Sequence, residues 1–212
     1  MSRIPINPGR VEWSGENPGI YLKTTPDGAY SALAVFFRVV LSPHGRGHAA
    51  VVLGAPDRAA GWPDAPNFII TDNQRMMRWI IDGWVSKFPT FAGKAGLGAM
   101  TWIDCDSVVK APTDLKTRYA ETLRGPGMTL EMIWETLGPP LPVEVGKDMS
   151  ATKGHEMYSV FQEAQSAEIR INGTPLPGAV QSREFFGRTM SPAILAFSGA
   201  WVTPSEAIAD AD

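Results

Sequence analysis

One amphipathic segment constrains the fold of this chain more than any other feature of its sequence. The residues from Thr71 to Gln74 fit the capping-box pattern, in which a hydroxyl accepts a free backbone N–H and a glutamine three residues later completes the exchange. Apolar side chains then recur every three or four residues until Pro89: Met76 or Met77, Ile80, Ile81, Trp84, Val85 and Phe88. The spacing predicts a helix over about 71–88 whose apolar stripe lies on a sheet or on another chain.

Nearly all other segments have the composition of β-strands. Two pairs of segments flank turn-rich sequence and predict hairpins: 30–41 with 48–53, and 117–124 with 128–136. Further strands are predicted at residues 68–70, 100–109, 155–165, 167–171 and 194–202. The pattern is typical of an α+β fold that is mainly antiparallel β, with a curved sheet or partly closed β-barrel and one principal amphipathic helix. We expect a single domain over 1–212, with a loose tail at 204–212.

Composition and charge limit the partners and the compartment. A net charge of −3, with Lys and Arg scattered along 212 residues, predicts no surface for nucleic acid. The chain begins without an apolar leader and has no apolar run that could span a bilayer, so we expect neither secretion nor a membrane partner. Cys105 is the only cysteine, which excludes an intramolecular disulfide and favours the reducing cytoplasm. We therefore predict a cytoplasmic protein.

The sequence predicts no cofactor and no metal. It has no glycine-rich phosphate loop after a strand, no nucleophile elbow and no dinucleotide-binding fingerprint. His44 and His48 bracket a short loop, but two imidazoles without a third ligand of suitable spacing do not make a zinc site. Cys105 has no base beside it and is expected to be a small buried apolar residue.

Arg38 interrupts an otherwise apolar strand segment and is a candidate substrate-binding residue. A guanidinium in such a place needs a partner, and it offers paired donors to the carboxylate or phosphate of a ligand. The structural alternative is an arginine at the rim of a barrel that pairs with an internal glutamate, or one that faces solvent on a half-exposed strand. The sequence leaves both interpretations open.

Carboxylates and one imidazole are the candidate proton-transfer groups. Asp104 and Asp106 alternate with apolar residues, so they are predicted to share a face where repulsion would raise the pKa of one of them. His155 begins a strand close to polar neighbours. The full set of predicted site residues is His155, Asp104, Asp106 and Glu131 for catalysis, and Arg38, Tyr158 and Trp134 for substrate binding. Each of these residues also has an explanation without a function. The carboxylates can lie on solvated strand faces, His155 can be an exposed residue at a strand end, and Trp134 can be part of the core.

Several features of residues 30–140 follow one another in a recognisable order. They are hairpin strands, Asp72-Asn73-Gln74 at a helix start, Asp82 in the helix, Phe88-Pro89 after it, and a strand with Asp104 and Asp106. This order is similar to the middle of the acetoacetate decarboxylase-like superfamily, in which an Asp-Asn-Glu opens a helix that carries a glutamate and ends in an aromatic-Pro-Lys segment. The resemblance implies a β-rich fold, a cavity lined by arginine and carboxylates, and a hydrophobic small acid or carbonyl compound as substrate.

The chain departs from the family pattern at the lysine that forms a Schiff base. That lysine follows the proline, where this chain has Thr90 and Phe91. Lys87 and Lys94 lie nearby, and neither matches without a shift. The resemblance therefore does not imply an imine at the family's position.

Two functions of different classes are consistent with the sequence. The first is a cofactor-independent enzyme of the lyase, isomerase, hydratase or decarboxylase type. It would act in a β-barrel cavity on a hydrophobic small molecule, and aromatic and carbonyl-bearing metabolites are the candidate substrates. Arg38 would anchor the ligand, and His155 or a carboxylate would move the proton. The second is a non-catalytic domain that binds a small molecule or forms a homo-oligomer, with the helix stripe pairing two subunits. An apolar pocket containing Arg38 favours the enzyme, and a core filled by side chains favours the second function.

Overall fold

The computed structural model describes residues 9–111, 114, 116–185 and 187–205. Within these residues the strands are β1 (Gly9–Glu16), β2 (Gly19–Lys23), β3 (Tyr30–Leu41), β4 (Gly47–Leu53), β5 (Asn67–Thr71), β6 (Thr101–Asp104), β7 (Ser107–Lys110), β8 (Arg118–Gly125), β9 (Met128–Leu137), β10 (Leu141–Val145), β11 (Glu156–Ile171), β12 (Thr174–Pro175), β13 (Arg183–Phe185), β14 (Arg188–Met190) and β15 (Ile194–Pro204). The helices are α1 (Gln74–Gly83) and α2 (Ala95–Gly98), with a 3-10 turn at Val85–Lys87.

Thirteen of these strands form one large sheet that closes into a ring. Its main path follows the order β6-β5-β4-β3-β1-β15-β11-β9-β8-β7, and the described pairings are antiparallel except that of β5 with β6. Because β6 and β7 are consecutive in the chain, the two ends of the path meet, and the Asp106 N–H donates to the Arg124 carbonyl at 2.7 Å. The ring is not a regular barrel. The predicted mainly antiparallel α+β fold with a partly closed sheet and one principal helix is confirmed.

The predicted helix is present, but it begins three residues later than expected. Asn73 is the N-cap of α1, and its side chain accepts the Met76 N–H at 3.0 Å. Thr71 is instead the last residue of β5, where its hydroxyl donates to the His48 carbonyl at 2.9 Å. β5 ends at this residue, and the same hydroxyl accepts the N–H of the N-cap residue Asn73 at 3.1 Å, so it joins the sheet to the start of the helix. Beyond Trp84 the helix continues only as the 3-10 turn.

Two clusters of buried side chains lie on opposite faces of the sheet. The ring interior is filled by large apolar residues, among them Phe36, Phe68 and Trp134. The outer cluster joins strand residues to the helix stripe, with Met76 and Ile80 as members. The helix therefore lies on the sheet of its own chain. Because both faces are covered, the central strands are continuous apolar runs.

Three strand predictions differ from the structure. The predicted strands 155–165 and 167–171 are one strand, β11, which pairs with β10 and β15 along its first half and with β9 along its second half. The predicted strand 100–109 is divided into β6 and β7 by the turn that closes the ring. The sequence patterns did not predict β1, β2, β10 or β12 to β14, because glycine, proline and charged residues interrupt their short apolar runs.

Two further expectations concern the ends and the membrane. Of the predicted tail, Pro204 is the last residue of β15, while residues 206–212 lie outside the described residues. Among the residues that the structure describes, no helix combines the length and the apolar character needed to cross a bilayer.

Candidate functional site

A charged cluster lies inside the ring, where β3 places Arg38 on the same face as Phe36. The Arg38 guanidinium contacts two carboxylates: Nη1 donates to Glu16 Oε2, and Nη2 donates to Glu121 Oε1 at 2.7 Å. The Tyr119 hydroxyl donates to the same Glu121 oxygen at 2.5 Å. Glu121 is fully buried, whereas the side chains of Arg38 and Glu16 are 22% and 24% exposed. The cluster thus extends from the interior of the ring to its rim.

The protonation of this cluster follows from its contacts. Burial alone would lower the pKa of Arg38, but its hydrogen bonds and the charges of Glu121 and Glu16 raise that pKa instead. Burial raises the pKa of the Tyr119 phenol far above its usual range, and the hydrogen bond and charge of Glu121 add to the effect. At neutral pH Arg38 is therefore charged, and Tyr119 is a neutral phenol that donates to Glu121.

Trp134 lies beside this cluster. Its ring centroid is 5.6 Å from that of Tyr119, and its indole N–H donates to the Gly19 carbonyl at 3.0 Å. Two of the predicted substrate-binding residues, Arg38 and Trp134, are thus both neighbours of Tyr119. Their polar groups already have partners within the protein. Arg38 has the arrangement of the structural alternative, in which it pairs with an internal glutamate.

His155 lies on the outer side of the sheet, against the end of α1. Its ring centroid is 5.0 Å from that of Trp84, and its Nδ1 is 3.0 Å from Thr152 Oγ1. Burial lowers the pKa of His155; Glu12 opposes this effect and Lys87 adds to it. The neutral imidazole, which can accept a proton, is therefore favoured at pH 7.

The three predicted catalytic carboxylates do not gather around this imidazole. Asp104, at the end of β6, accepts a hydrogen bond from Gln74 Nε2 at 2.9 Å. Asp106 is exposed in the turn that closes the ring, so the predicted strand alternation with Asp104 does not continue to it. Glu131 lies on β9, on the face opposite Trp134. Among the described residues no hydrogen bond or ion pair joins any of the three to His155.

Tyr158, the remaining predicted substrate-binding residue, lies on β11. Its hydroxyl donates to Glu156 Oε2 at 2.6 Å, and the side chain is half-buried. The seven predicted site residues are therefore distributed between the ring interior, the outer face and the ring-closing turn. The structure does not combine them into one constellation.

A cavity of about 640 Å³ lies on the outer face of the sheet. Its apolar floor comes from β10, β11 and β15: Val145, Met157, Phe161, Ile194, Ala196 and Trp201. Residues 87–90 after α1 form one wall, the loop at 149–153 a second, and the β13–β14 hairpin a third. This volume is in the range of about 300–1,000 Å³ that holds small organic ligands. None of the seven predicted residues is in this lining.

The charged groups of the cavity are mainly cationic. Lys87, Lys153 and Arg183 line it, together with a single carboxylate, Glu184. In the described part of the chain none of the three cations forms a salt bridge, although Lys153 Nζ donates to the Asp148 carbonyl at 3.1 Å. The cavity therefore combines apolar walls with an excess of positive charge.

Sequence reasoning missed these cavity residues for identifiable reasons. Arg183 and Lys153 stand in segments with many turn residues, which carry no periodicity. Trp201 belongs to a predicted strand, but an apolar residue in a strand is usually packing. The one available signal was the aromatic-proline step at Phe88, which the family resemblance included.

The two histidines considered as metal ligands, His44 and His48, lie in separate environments. His44 packs edge-on against Trp79 with ring centroids 5.5 Å apart, and His48 Nδ1 is 2.8 Å from Asp72 Oδ2. No three His, Cys, Asp or Glu side chains within the described ranges are grouped as metal ligands. Cys105 is half-buried, and burial raises the pKa of its thiol, so it is a poor nucleophile at neutral pH.

Comparison with known proteins finds no matching family model, no matching curated protein and no matching solved structure. The similarity to the acetoacetate decarboxylase-like superfamily stays a prediction from residue order. Function is therefore inferred from the geometry of the site.

Proposed function

We propose that this protein binds a small, mainly hydrophobic carbonyl or carboxylate compound in the cavity on the outer face of the sheet. The observation that carries the proposal is the pairing of an apolar floor with three cations that form no salt bridge within the described residues. Apolar walls provide most of the binding free energy of such ligands, and a few polar groups set their orientation. In the ring-interior cluster the Arg38 guanidinium already pairs with Glu16 and Glu121, so this cluster is not the proposed site, although Glu121 Oε2 has no hydrogen-bond partner among the described residues.

A titration series tests this function. We expect aryl and alkyl carboxylates of increasing size, and ketones of matching size, to give saturable binding curves in calorimetry. The affinity should rise with the apolar area of the ligand until the cavity is full. Ala196→Phe, which places a ring on the cavity floor, should weaken all of these ligands. Thermal unfolding of the variant controls for folding. If no member of the series saturates the wild-type protein, the proposed function is wrong.

A second candidate is a cofactor-independent lyase-type enzyme, such as a decarboxylase that acts through an imine. The observation that favours it is the presence of two exposed primary amines, Lys87 and Lys153, at the edge of a cavity with an apolar floor. An amine can form a Schiff base with a carbonyl substrate. We expect borohydride reduction in the presence of an aryl 2-oxo acid to add the mass of the reduced adduct, and Lys87→Arg or Lys153→Arg to abolish it. An unmodified wild-type mass would exclude this chemistry and leave the binding function intact.

A further inference from the structure

Arg183 and Arg38 are both partly buried, but their neighbours differ: Arg38 pairs with two carboxylates, whereas Arg183 contacts aromatic rings. Its guanidinium lies between two aromatic rings, 5.1 Å from the Tyr21 centroid and 4.9 Å from the Phe185 centroid. Its Nη1 donates a long hydrogen bond to the Tyr30 hydroxyl at 3.5 Å. Its Nε is buried without a hydrogen-bond partner among the described residues. The aromatic stacking holds the guanidinium plane, and no carboxylate in the described part of the chain forms a salt bridge with its positive charge.

The neighbouring phenol does not neutralise this charge. Burial raises the pKa of Tyr21, and although the charge of Arg183 opposes that effect, the phenol stays protonated at neutral pH. Glu184, the next residue, is exposed and accepts a hydrogen bond from the Thr189 hydroxyl on the partner strand of the hairpin. A half-buried cation in an apolar setting is unfavourable unless an anion pairs with it. The cavity that Arg183 lines is the place from which such an anion can come.

We propose that Arg183 is the residue that selects the ligand's charged group, and that the ligand is an apolar carboxylate held with its acid end against the β13–β14 hairpin. This inference rests on the proposed binding function. The guanidinium fork suits two parallel hydrogen bonds to a planar carboxylate, and the ring contacts on Tyr21 and Phe185 keep it oriented before the ligand arrives.

The orientation of the rest of the ligand follows from the position of the apolar floor. Trp201 is stacked on Phe88 with ring centroids 6.0 Å apart, and both line the cavity. When the carboxylate of the ligand binds at the hairpin, Trp201 and Phe88 are the residues that contact the apolar part of the ligand. An aryl group stacks favourably on such a surface. The specificity of the site is therefore divided between a guanidinium for the acid and aromatic rings for the body.

A matched pair of probes tests the assignment, with naphthylacetate as the acid and naphthylacetamide as its neutral analogue. We expect the wild-type protein to bind the acid at least about tenfold more tightly than the amide, as a charge-assisted bidentate pair requires. Arg183→Gln should remove that preference and leave the affinity for the amide within about twofold. Arg188→Gln, an exposed arginine on the same hairpin, is the matched control and should keep the full preference.

The outcomes separate this inference from the function on which it rests. Equal binding of acid and amide to the wild-type protein, or a preference that survives in Arg183→Gln, would overturn the role of Arg183 and leave the cavity function standing. Failure of both probes and of the whole series of carboxylates and ketones would overturn both proposals. If Arg183→Gln loses the amide as well, Arg183→Lys decides the question, because it keeps a charge but not the planar fork. A preference in that variant as large as in the wild type would contradict the proposal.

Discussion

At the scale of single residues, Arg38 shows how this fold keeps a charge inside a sheet. The guanidinium is shared between Glu16 and Glu121, and Glu121 is held in turn by Tyr119. Such a cluster offsets the desolvation of its charges only while every partner is present. Removing one member leaves a buried charge without a counter-charge, which is why the cluster contributes to stability as a unit.

A double-mutant cycle measures this coupling. Arg38→Met should lower the free energy of unfolding by about 3 kcal/mol, because Glu121 is left buried without its cation. Adding Glu121→Gln should recover part of that loss. Arg118→Met is the control, since its ion pair with Glu135 is long and exposed, and it should cost less than about 1 kcal/mol. Equal and additive losses in urea denaturation would contradict the coupling.

His155 predicts a pH dependence of stability. Burial lowers its pKa in the folded state below the ordinary value of 6.5, so the unfolded chain binds the proton more tightly. The stabilisation is present above pH 6.5 and is lost as the pH falls through 6.5 towards the folded-state pKa. In denaturation series between about pH 5 and pH 8, His155→Gln should show a shallower decline than the wild type. Parallel curves would show that His155 does not titrate differently on unfolding.

At the scale of elements, the start of α1 depends on one side chain that joins the helix to a hairpin loop. Asn73 accepts the Met76 N–H as the N-cap and donates from Nδ2 to the carbonyls of His44 at 3.0 Å and Arg46 at 3.1 Å. Here the same amide also fixes the turn between β3 and β4, so helix and hairpin are stabilised together.

Two substitutions at this position separate the two roles. Asn73→Asp keeps the cap acceptor but loses both donated hydrogen bonds, whereas Asn73→Ala loses all three contacts. We expect Asn73→Ala to lower the free energy of unfolding by about 2 kcal/mol, at the upper end for a lost cap, and Asn73→Asp to lower it by less. Denaturant unfolding measures both. An aspartate variant as unstable as the alanine variant would show that the cap contributes no more than is lost by repulsion between the new carboxylate oxygen and the His44 and Arg46 carbonyls.

At the scale of the whole molecule, the ring depends on a close approach between its two ends. A Cβ at Gly125 would lie 2.2 Å from the Asp104 carbonyl oxygen, so only glycine allows β8 to pass the end of β6. The turn between β6 and β7 is held at this place by the hydrogen bond from the Asp106 N–H to the Arg124 carbonyl. The ring is thus closed by backbone contacts, and these leave no room for a side chain.

Gly125→Ala tests this closure. We expect it to lower the free energy of unfolding by about 2 kcal/mol or more, because backbone at the contact must shift. Gly98→Ala is the matched control, since a Cβ there meets no atom within 4 Å, and its effect should be neutral or stabilising by up to about 1 kcal/mol. Similar melting temperatures for the two variants would contradict the proposed role of Gly125.

The candidate site was predictable only where its residues carry a local signal. Arg38 stands out because a charge interrupts an apolar strand, and the structure shows that charge paired with Glu121. Arg183 has no such contrast with its neighbours, since residues 174–182 are mostly turn formers. Its setting depends on Tyr21 and on the cavity floor, both remote in sequence. No periodicity in one chain segment contains that information.

The sequence by itself determined the class of fold, the position of the helix and the two main hairpins, because periodicity, capping and turn chemistry act between near neighbours. Tertiary structure alone decided that the sheet closes on itself, that the interior is packed, and that the cavity lies outside the ring. The pairing of Arg38 with Glu121 joins residues 83 positions apart. Contacts of this kind depend on which strands become neighbours, and that choice is made by packing of the whole chain.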